Sequence, residues 1–154
     1  MSARTSDNKK LLDALATLES ALESPFVEGE LESWVQNAHA ALQRVDPLLR
    51  HQIAEVNTPL LDEIETEDPG LIARVEQMRE CDEKCLSELN SLNRTFETLS
   101  DLVDDIEPNE TKLKSQLDDL VQRGLKFVIQ VRTQLVALRT WLQEAFDRDR
   151  GTVD

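Results

Sequence analysis

Apolar residues recur every three or four positions along nearly the whole chain, which is the spacing of one buried face on an α-helix. The first such stripe lies in residues 7–23 and ends at Ser24-Pro25, where a helix normally stops. The second runs from about Glu30 to Asn57. It keeps its phase across Pro47, so we expect a kink in one helix there rather than a break between two.

A short helix beginning at Pro59 and two long helices are predicted in the rest of the chain. Asp68 can cap the third main helix, and Pro69 suits its first turn. Its stripe consists of Leu71, Val75, Met78, Asp82, Cys85, Leu89, Leu92, Phe96, Leu99, Val103 and Ile106. After the turn "EPNE", the fourth helix carries Leu113, Leu117, Leu120, Gly124, Phe127, Val131, Gln134, Leu138, Trp141 and Ala145, and Gly151 is its predicted stop.

These stripes predict the fold class. Three helices of roughly 28 to 40 residues and a shorter first helix, joined by short turns, are typical of an all-α, up-down-up-down four-helix bundle. We assign residues 7–148 to this bundle, residues 1–6 to a flexible N-terminus and residues 149–154 to a C-terminal tail.

One polar residue interrupts each of the three long stripes: Gln52, Asp82 and Gln134. Counting from the turns at ~1.5 Å per residue puts the three side chains within roughly one helical turn of the same height. Because an unpaired buried polar group costs about 1–3 kcal/mol, we expect the two amides and the carboxyl to face one another. We also expect desolvation to raise the pKa of Asp82; if protonated, it can donate to an amide oxygen, and the alternative is that it binds a cation. The first helix is expected to stop short of this level, leaving the layer partly open.

The composition restricts the possible partners. The chain has 154 residues, a formal net charge of −14, two Trp, four Phe and no Tyr. An acidic surface repels phosphate backbones and anionic lipid, and no window approaches the ~18 apolar residues of a membrane span. We therefore expect a cytoplasmic protein with no nucleic-acid or membrane partner. The surplus of carboxylates suits a protein partner with a basic surface.

Three segments resemble the hemerythrin-like, or HHE-type, metal-binding helical bundles. They are "LLRHQIAEVNTPLLDEI", "RVEQMRECDEKCLSELNSL" and "LRTWLQEAFDRDRG", and the likeness spans about residue 31 to the C-terminus. This family holds a di-iron centre with histidines and carboxylates that project inward from several helices. The resemblance places the ligand positions near Gln52, Asn57, Asp82, Gln134 and Leu138.

None of these positions is a histidine, and only Asp82 could bind a hard cation through its charge. The resemblance therefore implies the fold together with the loss of the iron site. We expect no cofactor, and the polar layer would then be the remnant of a metal site. The alternative that stays open is a layer that only fixes helix register, as single polar residues do in coiled coils.

A zinc site is a second alternative, since two pairs of possible ligands lie four residues apart. These are His51 with Glu55, and Cys81 with Cys85. The phases of the pairs disagree, because His51 is one residue off the stripe and should point outward. Cys85 is on the stripe and is interpreted as a small buried residue, with Cys81 at its flank.

Catalytic motifs are missing from the sequence. There is no Gly-rich phosphate loop, no serine elbow and no Cys–His pair on a shared helix face. Histidine phosphotransfer is disfavoured because neither His39 nor His51 is followed by the expected Lys and Gly, and both are interpreted as surface residues. We therefore expect a non-enzymatic binding or interaction protein. The alternative is a metal-dependent sensor or a redox or oxygen-binding protein with a rearranged iron or zinc site.

Overall fold

The structure, a computed structural model, describes the backbone of residues 2–104 and 110–151 and the side chains of residues 8–101 and 113–144. Within these ranges the chain is all-helical, as the stripes predict. Its α-helices are α1 (Ser2–Glu23), α2 (Leu31–His51), α3 (Thr58–Glu67), α4 (Ile72–Asp104) and α5 (Glu110–Gly151). A π-helical segment, Gln52–Asn57, joins α2 to α3, and a 3₁₀ turn, Pro69–Leu71, leads into α4.

Several helix boundaries differ from the predicted ones. α1 begins within the segment assigned to the N-terminus, and α5 reaches into the segment assigned to the C-terminal tail. Helix α2 continues through Pro47 without a break. The Asp68 side chain accepts a hydrogen bond from the backbone N–H of Gly70, so the predicted cap is present at the turn before α4. The residues 107–109 of the predicted "EPNE" turn lie outside the described part of the chain.

The second predicted helix is not one α-helix. It changes at Gln52 to π-helical geometry, and the backbone N–H of Thr58 bonds to the carbonyl of Ile53, five residues earlier. Pro59 follows directly; a proline has no N–H to donate, and its ring clashes with the carbonyl four residues before it. A wider turn ahead of the proline relieves that clash. The result is a shift in phase, so that Asn57 is buried where the regular stripe predicted Val56.

The π segment also corrects the expected helix lengths. As α-helices, α1 and α2 have 22 and 21 residues, whereas α4 and α5 have 33 and 42. The first helix is therefore shorter than α4 and α5 but not shorter than α2. Helix α2 and the π segment together cover Leu31 to Asn57, which matches the predicted span of the second helix, and α3 continues from them without a gap.

The long helices pack in a ring: α1 contacts α2 and α5, and α4 contacts the same two helices. Their stripes form one large apolar cluster that includes Leu42, Leu89, Phe96 and Leu117, all 1% exposed or less. The Leu22 side chain of α1 packs directly on Gly124 of α5, where an added Cβ would lie 2.6 Å from Leu22 Cδ1. The sequence placed Gly124 on the stripe, and this close approach explains why a glycine fits there.

A second, smaller apolar cluster lies beyond the first. It contains Leu61, Val75, Met78, Leu138 and Trp141. The polar residues of the three long stripes lie between the two clusters along the chain: Asp82 follows Met78 and precedes Cys85 of the large cluster. A polar level thus separates two apolar cores. None of the described helices is long and apolar enough to cross a membrane.

Candidate functional site: a buried carboxyl–amide layer

Four polar side chains from three parts of the fold form the buried layer. Asp82 comes from α4, Gln134 from α5, and Gln52 and Asn57 from the two ends of the π segment. Their exposed fractions are 5%, 8%, 5% and 1% respectively. The sequence predicted three of them as one layer. Asn57 entered only through the family resemblance, because regular helical phase would have turned it away from the core.

The hydrogen bonds of the layer run in a defined direction. Gln134 Nε2 donates to the backbone carbonyl of Met78 at 3.1 Å and to Asp82 Oδ1 at 3.1 Å. Since a carbonyl can only accept, the Met78 bond fixes which end of the Gln134 amide points to Asp82. Asn57 Nδ2 donates to both carboxyl oxygens of Asp82, at 3.2 and 3.3 Å. Gln52 Nε2 in turn donates to Asn57 Oδ1 at 3.1 Å.

Asp82 is therefore the acceptor on which two amides converge. We expected Asp82 to face both Gln52 and Gln134. Instead the amide N–H groups of Asn57 and Gln134 point at the carboxyl, and Gln52 reaches it only through Asn57. The difference arises because the π segment brings Asn57 between Gln52 and Asp82.

The π segment is what aligns Gln52 with Asn57. The two residues are five apart, and a π-helix places residues five apart on one face, as an α-helix does for residues four apart. A sequence signal existed for this, namely the proline at position 59 immediately after an otherwise regular stripe. Such π turns are frequent at functional sites.

Burial and charge act in opposite directions on Asp82. Burial raises the pKa of its carboxyl above the ordinary value, while the bonds from Gln134 and Asn57 and the positive charge of Arg79 partly offset that rise. Arg79 itself bonds to Asp62 at 2.6 Å and to Glu65 at 3.0 Å, so it ties α4 to α3 beside the layer. The pairing with these acids raises the pKa of Arg79 further.

The four side chains of the layer are almost fully buried, with exposed fractions of 8% or less. We expected the first helix to stop short and leave it partly open. Helix α1 instead begins at Ser2, and its backbone comes into contact with the π segment. One polar atom inside the layer is left without a protein partner, the Oε1 of Gln52.

The donor atoms of the layer do not fit a di-iron centre. Such a centre needs several imidazoles and bridging carboxylates, whereas this level supplies one carboxylate and three amides. Leu138, at the fifth position implied by the resemblance, is a buried residue of the smaller apolar cluster.

The residues of the alternative zinc set are not brought together either. His51, Glu55 and Cys81 are exposed, whereas Cys85 is 1% exposed. Burial, with the nearby charge of Asp82, raises the pKa of the Cys85 thiol to about 12, which disfavours the thiolate that a metal requires. Among the described residues no group of three or more His, Cys, Asp or Glu side chains is placed to hold a metal ion.

The other histidine, His39, takes part in packing between helices. His39 was interpreted as a surface residue, but it is half-buried and its ring stacks on Phe96, with 5.3 Å between the ring centroids and an angle of 3° between the planes. The aromatic neighbour on α4 makes it part of the α2–α4 packing. This packing leaves His39 poorly placed to take part in phosphotransfer.

Comparison with known proteins adds no relative. The chain matches no protein-family model, no curated protein and no solved structure. The buried layer and the surface are therefore the observations on which a function can be based.

Proposed function

We propose that this protein is a hemerythrin-like, up-down-up-down four-helix bundle that has lost its di-iron site and acts without catalysis, as a protein-interaction module. The ring of contacts among α1, α2, α4 and α5 supports this arrangement of the helices. The observation that carries the proposal is the polar layer. Four of the five positions that the resemblance assigns to metal ligands are buried at one level, and three of them are amides.

The hydrogen bonds explain how a bundle of this type keeps its shape without metal. The carboxyl of Asp82 accepts hydrogen bonds from Asn57 and Gln134. Protein donors therefore occupy the oxygens that would otherwise bind a cation. Buried polar groups that satisfy one another can fix the register of the helices. We propose that the layer has this role, and that recognition takes place on the surface.

Iron loading tests the loss of the metal site. The protein is refolded under anaerobic conditions with excess Fe²⁺, desalted, exposed to oxygen and examined by elemental analysis and visible absorption. We expect far less than one iron per chain and no charge-transfer band. Iron bound at one or two equivalents per chain, lost in Asp82→Asn, would overturn the proposal.

One observation favours the alternative of a rearranged metal-dependent sensor or redox protein. Gln52 Oε1 is buried without a partner in the same polar layer as Asp82, and an amide oxygen is a ligand that hard cations accept. Thermal unfolding with and without chelator decides between the two functions. A midpoint that falls sharply with chelator in the wild type, but not in Asp82→Asn, would establish the alternative.

The proposed interaction uses an acid-rich surface that we call the acidic segment: Glu63, Glu67, Asp68, Glu76, Glu80 and Glu83. All six side chains are exposed, and they lie on α3, on the turn after it and on the first half of α4. The nearby Arg79 is already paired with Asp62 and Glu65. The negative potential of these carboxylates favours a partner with a basic surface. We also place the protein in the cytoplasm, where two unpaired thiols remain reduced.

Calorimetric titration with a helical, Lys- and Arg-rich peptide tests the interaction. We expect binding that weakens as salt rises, and that weakens at least about fivefold in the triple variant Glu63→Gln, Glu67→Gln, Glu76→Gln. The matched control is Glu97→Gln with Asp101→Gln and Glu144→Gln, which removes the same number of exposed carboxylates elsewhere. Equal weakening in both variants, or no binding by the wild type, would contradict the proposed surface.

A further inference from the structure

The outer face of α5 carries a second row of regularly spaced residues, in addition to the row that lies in the core. Ile129, Thr133, Val136 and Thr140 follow one another at steps of four, three and four, and all four are exposed. Ile129 and Val136 are 61% and 64% exposed, the highest values among the large apolar residues described as exposed. We call these four residues the outer seam. Each is β-branched, a residue type that packs well at helix–helix seams but is slightly unfavourable on a solvated helix.

The charge around the outer seam is opposite to that of the whole chain. Residues 120–143 contain four basic residues and no acidic one, in a protein of net charge −14. Two of these cations are engaged within the fold. Arg132 pairs with Glu19 of α1 at 2.7 Å, and Arg123 lies 3.7 Å from Glu88 of α4 and bonds to Ser91 at 2.9 Å. These contacts lie where α5 packs against α1 and against α4.

The other two cations stand at the ends of the outer seam. Lys126 is three residues before Ile129 and Arg139 is three residues after Val136, so all of them lie on the same side of the helix. Both are exposed, and neither forms an ion pair with a residue whose side chain is described. The outer face of α5 thus presents an apolar, β-branched centre with an available positive charge at each end.

We propose that the outer seam of α5 binds an amphipathic helix of another protein, with acidic residues flanking an apolar stripe. The four-three spacing matches the spacing of side chains on an opposing helix, which can pack between Ile129, Thr133 and Val136. Acidic residues on that helix are complementary to Lys126 and Arg139, and they would be repelled by the acidic remainder of this protein. The charge therefore directs such a helix to α5.

A second copy of this chain fits the same surface less well. In an antiparallel pairing of two α5 helices that brings Ile129 against Val136 of the other copy, Lys126 lies near Arg139 of that copy. Like charges at both ends of the seam oppose this pairing. Self-association through the outer seam is kept as an outcome of the test.

This inference rests on the proposed role as an interaction module, but it concerns another surface and a partner of the opposite charge. The basic partner of the acidic segment and the acidic helix on α5 could be bound independently. Their tests can therefore fail separately.

A displayed library of helical peptides tests the inference directly. Each peptide has three heptads with leucine or isoleucine at the seam positions, and the flanking positions are randomised among Glu, Lys and Gln. Selection for binding to the immobilised full chain should enrich Glu at the flanking positions. The enriched peptides should bind the double variant Ile129→Gln, Val136→Gln at least about tenfold more weakly than the wild type.

Two further variants make the result specific. The control Val27→Gln, Ile72→Gln also replaces two exposed apolar residues, which are 49% and 47% exposed, and it should bind like the wild type. The variant Lys126→Glu, Arg139→Glu should reverse the selection, so that Lys is enriched instead of Glu. Circular dichroism and melting curves of every variant check that the fold is retained.

The inference is overturned by three results. The first is no enrichment over the bare support, or enrichment of Lys by the wild type. The second is binding that survives in the Ile129→Gln, Val136→Gln variant but is lost when the acidic segment is neutralised; in that case the interaction function stands and the α5 site does not. The third is sedimentation of the protein alone as a dimer that the same double variant dissociates.

Discussion

Asp82 occupies a position that the helical stripe of α4 would ordinarily give to an apolar residue. Its two oxygens accept three contacts from Asn57 and Gln134, and Gln134 is itself held by the carbonyl of Met78. An isolated carboxylate would be very costly at this depth, but a carboxyl that receives amide N–H groups is partly compensated. The residue is thus tolerated because of its neighbours.

The buried carboxyl should make the stability of the protein depend on pH. Its pKa is raised in the folded state, so the fold disfavours the ionised form. Below the unfolded pKa of about 3.9 both states are protonated and there is no penalty. As the pH rises through the folded pKa, wild type should lose free energy of unfolding relative to Asp82→Asn. Urea unfolding of both proteins across a pH series measures this gap. The unfolding free energy of Asp82→Asn minus that of the wild type should increase as the pH rises. A difference that stays constant or decreases contradicts the expectation.

Replacing the same carboxyl by an apolar group should have a different effect. Asp82→Leu removes the only acceptor of the Asn57 amide in the layer, whereas Gln134 keeps its bond to Met78. We expect a loss of about 1–3 kcal/mol in the free energy of unfolding, because a buried donor is left unsatisfied. The triple variant Asp82→Leu, Asn57→Leu, Gln52→Leu is the control: it also removes the buried amides that donate to Asp82 and to Asn57, and it should recover part of the loss.

The two cysteines should differ strongly in reactivity. Cys81 is exposed, whereas Cys85 is buried and its thiol pKa is raised from 9.0 to about 12. Since the thiolate is the reacting form, the shift alone lowers the reactive fraction of Cys85 on the order of a thousandfold. Labelling of Cys81→Ser and Cys85→Ser with a thiol reagent at pH 8 compares the two sites. Equal, rapid labelling of both native variants would show that Cys85 is accessible.

The π segment determines which side chains of the continuous helical segment from Leu31 to Glu67 face the core. It adds the equivalent of one residue to the helix, so that Asn57 and Leu61 are buried after Gln52. Without that extra residue the side chains of α3 would be rotated relative to those of α2. The contacts of Leu61 in the smaller cluster and of Arg79 with α3 both depend on this phase.

Removing one residue from the π segment should therefore be tolerated. Deleting the exposed Ala54 leaves Gln52 and Asn57 four residues apart, which is the α-helical spacing for a shared face. The deletion is made together with Pro59→Ala, since a proline in a regular helix costs about 3 kcal/mol. Relative to Pro59→Ala alone, we expect a loss below about 2 kcal/mol in urea unfolding.

Deletion of the exposed Ala40 in α2 is the matched comparison. There the helix is regular, so one missing residue rotates the following part by about 100°. Leu42, Val45 and Leu49 would leave the core, at about 1.5–3 kcal/mol each. We expect this variant not to fold cooperatively. Similar stabilities for the two deletions would show that the π segment has no special tolerance.

Negative charge is the dominant feature of the protein's surface. A net charge of −14 on 154 residues destabilises the compact state through self-repulsion. Few cations on the described surface offset it, and several of those are engaged in pairs such as Arg50 with Asp46 and Arg132 with Glu19. Such repulsion is screened by salt.

The melting temperature should accordingly rise with ionic strength. The Debye length falls from about 10 Å at 0.1 M to about 3 Å at 1 M salt, which weakens repulsion between exposed carboxylates. A gain of about 1–2 kcal/mol corresponds to a rise of roughly 2–8 °C for a domain of this size. Scanning calorimetry in a series of NaCl concentrations measures it. The variant Glu63→Gln, Glu67→Gln, Glu76→Gln should show a smaller rise, and a midpoint that falls with salt would contradict the argument.

The helical fold class, the apolar stripes and the three polar interruptions at Gln52, Asp82 and Gln134 could all be predicted from the spacing of residues along the chain. These are local properties, because a period of three to four residues follows from the geometry of one helix. The burial of Cys85 and the cap at Asp68 follow in the same way.

The partner of each buried polar group, in contrast, depends on how the helices pack. After Gln52, the side chains that face the core depend on how the helix accommodates Pro59 while Leu61 stays buried. Periodicity alone cannot predict the π segment that results. This segment brings Asn57, rather than Gln52, against Asp82. The contact of α1 with the π segment and the exposure of Ile129 and Val136 are likewise set by packing between helices distant in sequence. A stripe shows that one face is buried, whereas the neighbours that bury it come from the rest of the chain.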